Sequence, residues 1–226
     1  MNLIDLTGRR VLITQSSDFM GPALGRVFAA LGATVIADQR PLDDPSAAQA
    51  AVAAAGDIDV LIAHLAWPAP TTPVAEVTDD EWRLAFAHLV DPLPRLARAV
   101  LPQMRARKAG RIVVIGSAAP LRGMKRTSTY SAARGAQLAW VRAAGTELAR
   151  EGINCNAIAQ NFVDNPMYFP PEVQANPAFQ ERLKREVPLG RLVSGDEDAL
   201  FAAYLASDAA ACFVGQVFPV CGGWVA

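Results

Sequence analysis

The stretch RIVVIGS, residues 111–117, is the clearest guide to the fold class of this 226-residue chain. Its Ile and Val residues follow one another without alternation, which is typical of a strand covered on both faces. Five similar runs lie before and after it, separated by longer segments with apolar residues at three- or four-residue spacing. They are RVLIT (10–14), ATVIAD (33–38), DVLIAH (59–64), INCNAIA (153–159) and GQVFPV (215–220). This alternation predicts repeated βαβ units and an α/β fold, a doubly wound parallel sheet of six to seven strands with helices on both faces.

The helical periodicity predicts six helices between and after these runs. Their predicted bounds are 21–31, 46–55, 79–107, 128–151, 172–186 and 196–207. No internal repeat or low-complexity linker interrupts them. A chain of this length can bury one substantial core, so residues 1–226 are predicted to form a single domain.

Composition excludes several classes of function. Apolar residues make up 52% of the chain and charged residues 19%, with 21 basic against 22 acidic side chains. Such a balance favours neither disorder nor binding to nucleic acid or to an acidic partner. A small polar or neutral substrate is therefore the expected partner.

The cysteines, the histidines and the N-terminal residues narrow the choice further. Three cysteines without C-x-x-C spacing indicate reduced thiols, and two histidines, His64 and His88, do not make a metal site. The first residues, MNLIDLTGRR, lack the long apolar segment of a signal peptide, and no uncharged apolar run is long enough for a membrane span. We therefore expect a cytoplasmic protein without a metal and without a membrane partner.

Three polar residues make the candidate catalytic set. Ser117 ends the fourth run, at the edge where open α/β sheets place their ligands. Tyr130 follows 13 residues later and Arg134 four residues after that, so the phenol and the guanidinium share one face of a helix. A permanently charged guanidinium beside a phenol stabilises the phenolate. The alternative is that Ser117 only caps a helix and the other two form a surface pair.

The order of strand, glycine-bearing turn, Ser117, Tyr130 and Arg134 resembles the short-chain dehydrogenase/reductase superfamily across nearly the whole chain, which implies a Rossmann-like domain. The end, GQVFPVCGGWVA, resembles that superfamily's usual C-terminus. The first turn departs from it, because T-G-x-x-x-G-x-G is replaced by TQSSDFMG (14–21). This turn is similar to the T-x4-[FY]-x-G form found in halohydrin dehalogenases, in which the aromatic ring lines the space left by a missing dinucleotide.

Further departures concern the rest of the dinucleotide site. Asp38 stands where an acid commonly binds an adenosine ribose and, taken alone, argues for NAD. Only the segment QRPLDDPSAAQAAVAAAGDI separates it from the next long run, where dehydrogenases place a helix, a strand and another helix. Leu65 and Trp67, within AHLAW, would crowd the ribose, and Arg134 replaces the superfamily's usual lysine. The resemblance therefore implies that no cofactor binds.

The dehalogenase resemblance also implies a halide site. After INCNAIA the chain carries QNFV (160–163), and consecutive backbone N–H groups in such a turn can bind an anion without a formal positive charge. The halide-binding residues implied are Phe19, Gln160, Asn161, Phe162 and Val163. The substrate pocket implied is Trp67, Pro68, Met124, Thr127, Tyr168 and Phe169, although each of these could equally be a core residue.

The resemblance implies cofactor-independent conversion of vicinal haloalcohols to epoxides with release of halide, and the reverse opening of epoxides by cyanide, azide or nitrite. Ser117 would orient the substrate hydroxyl, Tyr130 would act as the base and Arg134 would tune it. His88 stands where dehydrogenases carry an asparagine of a proton relay, and it either replaces that residue or simply packs. A homotetramer formed through the helices at 79–107 and 128–151 is also implied. Two alternatives stay open, namely a divergent NAD(P)-dependent reductase and a non-catalytic dinucleotide-sensing or scaffold protein.

Overall fold

The computed structural model describes residues 4–225, and its centre is one parallel sheet of six strands. The strands are β1 (Arg10–Ile13), β2 (Thr34–Ala37), β3 (Val60–His64), β4 (Gly110–Ser117), β5 (Ile153–Gln160) and β6 (Val217–Val220). Their order across the sheet is β2-β1-β3-β4-β5-β6, and all five neighbouring pairs are parallel. The predicted doubly wound parallel sheet is therefore confirmed, with six strands.

Helices cover both faces of this sheet. The helices are α1 (Gly21–Ala30), α2 (Ala47–Ala55), α3 (Asp79–Leu89), α4 (Pro92–Arg107), α5 (Ala119–Arg122), α6 (Ser128–Leu148), α7 (Pro171–Gln174), α8 (Pro177–Glu186) and α9 (Gly195–Ala206). One core lies between the sheet and α1 and α9, and the other lies against α2, α3, α4 and α6. Along β1, Leu12 belongs to one core and Val11 and Ile13 to the other, which explains why the run is apolar at every position.

Two of the predicted helices are each divided in two by a proline. The predicted helix 79–107 breaks between α3 and α4, because Pro92 has no backbone N–H to donate to the preceding turn. The predicted helix 172–186 breaks between α7 and α8, where Pro177 begins the new helix. There the Asn176 side chain accepts a hydrogen bond from the Ala178 N–H at 2.9 Å. Within residues 4–225 no helix combines the length and the apolar character needed to cross a membrane.

The sheet order places the turns that carry the candidate residues at one edge. The direction of the strand order reverses between β1 and β3, and ligands of such sheets bind beyond the carboxyl ends near this point. In the register of β4 and β5, Ser117 lies beside Gln160, so the serine and the start of the predicted halide loop are neighbours. Residues distant in sequence thereby meet at one position.

Candidate active site

A cavity of about 330 Å³ lies at this carboxyl edge. Twelve of the fourteen residues predicted for the site line it: Ser117, Tyr130, Arg134, Phe19, Gln160, Asn161, Phe162, Val163, Met124, Thr127, Tyr168 and Phe169. The two others, Trp67 and Pro68, are not among the lining residues. Trp67 packs against His88, with ring centroids 5.8 Å apart, and Pro68 is exposed. The prediction that these two line the pocket is wrong, because the chain leaves the cavity wall immediately after Ala66 and returns to it at Ala69.

Helix α6 carries Tyr130 in its first turn and Arg134 one turn later, both buried. The Arg134 guanidinium carbon lies 5.2 Å from the centroid of the Tyr130 ring. One terminal nitrogen donates to the Ile115 carbonyl oxygen at 3.1 Å and to Gln137 Oε1 at 3.0 Å, and the other donates to the Leu65 carbonyl oxygen at 3.2 Å. These hydrogen bonds hold the positive charge over the phenol ring.

Ser117 ends β4 and faces the same cavity. Its Oγ accepts a hydrogen bond from the Ala119 N–H at 3.1 Å and so caps one N–H of the first turn of α5, although the N-cap residue of that helix is Ala118. Accepting that bond leaves the hydroxyl proton free to donate to a ligand oxygen. The cap and the candidate catalytic role are therefore compatible.

In the turn after β1, two residues with large side chains have the backbone conformation that is typical of glycine. Gln15 and Phe19 stand at the first two glycine positions of the dehydrogenase motif and have φ values of 45° and 43°, in the left-handed region that favours glycine. The Phe19 ring lies 5.2 Å from the Tyr168 ring and lines the cavity. The Gln15 side chain crosses to the next turn, where its Oε1 accepts from the Ala66 N–H at 2.6 Å. These two side chains occupy the space that glycines would leave open for a pyrophosphate.

The third glycine of the motif is required by packing. A Cβ on Gly21 would lie 2.2 Å from the Ser16 carbonyl oxygen, so only glycine permits this close approach of the helix to the turn. The retained Gly21 is therefore explained by the close packing of α1 against the preceding turn.

Like the first turn, the other positions at which this fold commonly contacts a dinucleotide do not suit a dinucleotide cofactor. Both carboxylate oxygens of Asp38 accept from Arg40, one from its backbone N–H at 3.1 Å and one from its Nε at 2.7 Å. A single helix, α2, connects Asp38 to β3, and Leu65 is fully buried. With Gln15 and Phe19 in the turn, the residues present do not fit the NAD(P) that this fold commonly binds.

The loop after β5 lines the cavity and carries donors that have no protein acceptor within residues 4–225. Phe162 has a φ of 50°, which turns successive N–H groups toward one side, as in backbone anion sites. The Phe162 N–H donates to Asn161 Oδ1 at 2.9 Å, and this bond orients the Asn161 amide. Asn161 Nδ2 is then a buried donor without an acceptor in the described chain. In the hydrogen bonds of residues 4–225 the Val163 N–H likewise donates to no protein group, although its neighbours in the loop pair with Val193.

Gln160 contributes less to this loop than predicted. It lines the cavity, but its side-chain amide donates to Asp198 on α9. Burial raises the pKa of Asp198 to about 7, and Asp198 Oδ1 has no hydrogen-bond partner within residues 4–225. The Gln160 side chain therefore connects the start of the loop to α9.

The two histidines have different surroundings. His64 lines the cavity, and burial lowers its pKa to about 4, with Nδ1 3.1 Å from the Gln15 carbonyl oxygen. It is neutral at ordinary pH, and Nδ1–H donates to that carbonyl oxygen. His88 stacks on Trp67 outside the cavity, so it packs. No group of residues within the described chain could hold a metal ion.

Sequence reasoning missed several residues of the site. The most consequential is Arg182 on α8, which lines the cavity and has its guanidinium carbon 5.4 Å from the Phe162 ring centroid. Nothing in the local sequence of α8 distinguishes it from a surface arginine. The Tyr168 hydroxyl accepts from the Ala69 N–H at 2.8 Å and so joins two walls of the cavity, and burial raises its pKa.

Comparison with known proteins agrees with this architecture. A family model described as enoyl-(acyl carrier protein) reductase matches residues 7–225, and a solved oxidoreductase of the short-chain dehydrogenase/reductase family is among the similar structures. The chain belongs to the short-chain dehydrogenase/reductase superfamily. Similarity to individual members of this superfamily points in two directions.

The structural comparisons include dehalogenases. A structure described as a dehalogenation enzyme has a TM-score of 0.91 and 37% identity, covering 97% of this chain and 99% of that one. A halohydrin dehalogenase bound to ethyl (2S)-oxiran-2-ylacetate has a TM-score of 0.86 and 27% identity, covering 95% and 96%.

Several relatives found by sequence have the names of redox enzymes. Cis-4-hydroxycyclohexanecarboxylate dehydrogenase of Sinomonas cyclohexanicum is 33% identical over 178 residues, which cover 78% of this chain and 69% of the relative. Others are named as ketoacyl reductases. These comparisons support an enzyme of the superfamily without selecting its reaction.

Proposed function

We propose that this protein is a cofactor-independent halohydrin dehalogenase, which converts a vicinal haloalcohol to an epoxide, a halide ion and a proton. The observation that carries the proposal is the pair of unpaired donors, Asn161 Nδ2 and the Val163 N–H, in the cavity that also contains Ser117 and Tyr130. Buried donors without acceptors are costly unless a ligand completes them. An anion is the ligand that such a loop favours.

The reaction follows from the positions of these groups. The Ser117 hydroxyl donates to the substrate oxygen and orients it, and the Tyr130 phenolate removes the proton from that oxygen. The alkoxide attacks the adjacent carbon as the carbon–halogen bond breaks, and the halide leaves with both bonding electrons toward the loop 161–163. Tyr130 then loses its proton to solvent. Positioning of the nucleophile opposite the leaving group and general base catalysis are the protein's two contributions.

Arg134 serves this mechanism through its charge. Its terminal nitrogens donate to two backbone carbonyl oxygens and to Gln137, and these bonds hold the guanidinium over the Tyr130 ring. A fixed positive charge beside the reacting groups stabilises the negative charge that develops during the reaction, including that of the departing anion. In the reverse direction Tyr130 donates its proton to the epoxide oxygen while cyanide, azide or nitrite attacks the ring carbon.

A second candidate is an NAD(P)-dependent reductase. The names of the sequence relatives favour it, and so do the retained Ser117 and Tyr130. The side chains of Gln15 and Phe19 argue against it. Calorimetry with NADH and NADPH separates the two, since we expect no saturable binding of either, and saturable binding would support the reductase.

The decisive experiment measures bromide release from 1-bromo-2-propanol without added nucleotide. We expect turnover by the wild-type protein and a loss of about 10²- to 10⁴-fold in Tyr130→Phe, the contribution typical of a general base. Tyr204→Phe is the matched control, because Tyr204 lies on α9 with its hydroxyl directed to the Ala209 carbonyl oxygen at 3.4 Å. No bromide release by the wild-type protein, or full activity in Tyr130→Phe, would refute the proposal.

We also propose that the chain forms a homotetramer through α4 and α6. An apolar groove of about 260 Å³ lies between these helices, lined by residues that include Ala97, Leu101, Trp140 and Ala144. Burying such a groove against a second copy removes apolar surface from water. Light scattering of the purified protein gives the oligomer mass, and a monomer mass would contradict this proposal.

A further inference from the structure

The wall of the cavity carries positively charged side chains and no negatively charged ones within residues 4–225. Two arginines, Arg134 and Arg182, line the cavity, and within residues 4–225 no aspartate or glutamate does. Arg134 is buried, and backbone oxygens and Gln137 engage its terminal nitrogens. Arg134 Nε is a buried donor without a partner in the described chain, whereas Arg182 is exposed, so Arg182 is the more accessible of the two cations.

Arg182 is held in place while part of its hydrogen-bonding capacity stays free. Its guanidinium covers the ring of Phe162, which Phe169 and Trp224 fix from other sides with ring centroids 6.2 Å away in each case. Its Nε donates to Glu186 Oε2 at 3.1 Å. In the part of the chain that the structure describes, its two terminal nitrogens have no hydrogen-bond acceptor, and its side chain is 45% exposed.

The charge of Arg182 is also incompletely neutralised. Glu186 is shared, because its other oxygen, Oε1, accepts from the terminal nitrogen of Arg185 at 3.0 Å. Two guanidinium groups against one carboxylate leave a net positive charge beside the cavity. Arg185 is not among the lining residues, so Arg182 is the member of this pair that borders the cavity.

We propose that Arg182 is a second anion subsite that binds a carboxylate of the substrate, which makes carboxylate-bearing vicinal haloalcohols the preferred substrate class. This inference rests on the proposed function, in which loop 161–163 takes the halide and Ser117 and Tyr130 take the hydroxyl. The third substituent of the substrate then remains to be bound. The two free terminal nitrogens of a guanidinium match the two oxygens of a carboxylate, whereas a neutral tail would leave them unused.

The same charge could instead attract the free anion, either the departing halide or an incoming nucleophile. The two sources differ in what Arg182 changes. A carboxylate subsite changes the preference between an acid and its ester, whereas attraction of free anions changes the KM for azide with a neutral epoxide. Both measurements therefore belong to the test.

The experiment compares kcat/KM for 4-chloro-3-hydroxybutanoate with kcat/KM for its methyl ester in each variant, so general effects on folding or catalysis cancel in the ratio. We expect Arg182→Gln to lower the acid-to-ester ratio by about tenfold, as expected for a charge-assisted pair that stays partly exposed. Arg185→Gln is the matched control, because it removes an equal charge from the same Glu186 without touching the cavity, and its ratio should stay within about twofold of wild type. Glu186→Gln should raise the ratio, because it releases Arg182.

Two results would overturn the inference. They are an unchanged acid-to-ester ratio in Arg182→Gln and an equal fall in Arg185→Gln. An unchanged ratio with a higher KM for azide in Arg182→Gln would assign the charge to free anions instead. The proposed function fails separately, if the wild-type protein releases halide from neither the acid nor the ester. Release from the ester with no preference for the acid would leave the proposed function intact and refute the carboxylate subsite alone.

Discussion

Replacement of Asn161 by Asp tests the halide loop with a change of one atom. Asn161 Oδ1 accepts from the Phe162 N–H at 2.9 Å, and a carboxylate oxygen would keep that bond and the course of the backbone. The change falls on Nδ2, the buried donor without an acceptor in the described chain, which becomes an acceptor with negative charge. Asn161→Asp therefore converts an attraction for the anion into a repulsion.

The size of the effect follows from the separation of the charges. Two like charges about 4 Å apart repel by about 4 kcal/mol at the effective dielectric constant of about 20 that suits protein sites. The lost hydrogen bond to a charged ligand adds about 1.5–3 kcal/mol. Because such contributions are not additive, we expect bromide binding to weaken by about 3 kcal/mol or more at pH 8, which is about 100-fold or more.

The effect should also depend on pH. A carboxylate in a buried site next to an anion resists ionisation, so its protonated form gains population as pH falls, and that form can donate to bromide. Bromide binding by Asn161→Asp should therefore recover part of its loss between pH 8 and pH 6. Calorimetric titration with bromide at the two pH values measures both quantities.

The control is Asn176→Asp, the same chemical change at the N-cap of α8, where aspartate caps as well as asparagine. Bromide binding by this variant should equal that of the wild-type protein. Binding by Asn161→Asp within about threefold of wild type at pH 8, or a loss shared by both variants, would refute the argument that Asn161 Nδ2 contacts the halide.

The remaining predictions concern the stability of the turn and of the buried carboxyl group. Gly21→Ala should lower the free energy of unfolding in urea by about 3 kcal/mol or more and weaken bromide binding, because the new Cβ would lie 2.2 Å from the Ser16 carbonyl oxygen. Gly25→Ala on the same helix has nothing within 4 Å of its Cβ and should stabilise by about 1 kcal/mol, so equal effects at the two positions would contradict the packing argument. Asp198 has a folded-state pKa raised to about 7 from 3.8, so the folded state binds the extra proton and the stability of the wild-type protein falls as pH rises through this window. Asp198→Asn should remove this dependence, so that its unfolding free energy gains on that of wild type by about 1.4 kcal/mol per pH unit between pH 4 and 7, and a constant difference across those values would show that Asp198 is ionised in the folded protein.

The sequence by itself determined the strands and the positions of the candidate catalytic residues. The strands are apolar at every position because two cores cover the sheet, and that pattern is visible without any tertiary information. Ser117, Tyr130 and Arg134 could be predicted because a strand end and a helical spacing of four are local properties. The presence of Gln15 and Phe19 at two glycine positions of the motif could also be read directly from the sequence of the turn.

Only the tertiary structure decided which other side chains face the cavity. Local periodicity does not show that the chain turns away at Trp67 and Pro68. The break before Pro92 in the helix predicted at 79–107 is different, because a proline inside a helical pattern is itself a signal in the sequence. Arg182 reaches the cavity because α8 packs over Phe162, a contact that local periodicity within α8 does not show.

The same limit applies to the hydrogen bonds. Gln160 is paired with Asp198, 38 residues away, and the Tyr168 hydroxyl with the Ala69 N–H, 99 residues away. Two donors stay free in the loop, Asn161 Nδ2 and the Val163 N–H. They can be recognised as free only when the hydrogen bonds of the neighbouring groups are known. A sequence states which groups can donate or accept, but which of them remain unpaired depends on the whole fold, because pairing requires atoms that only the packed chain brings within reach.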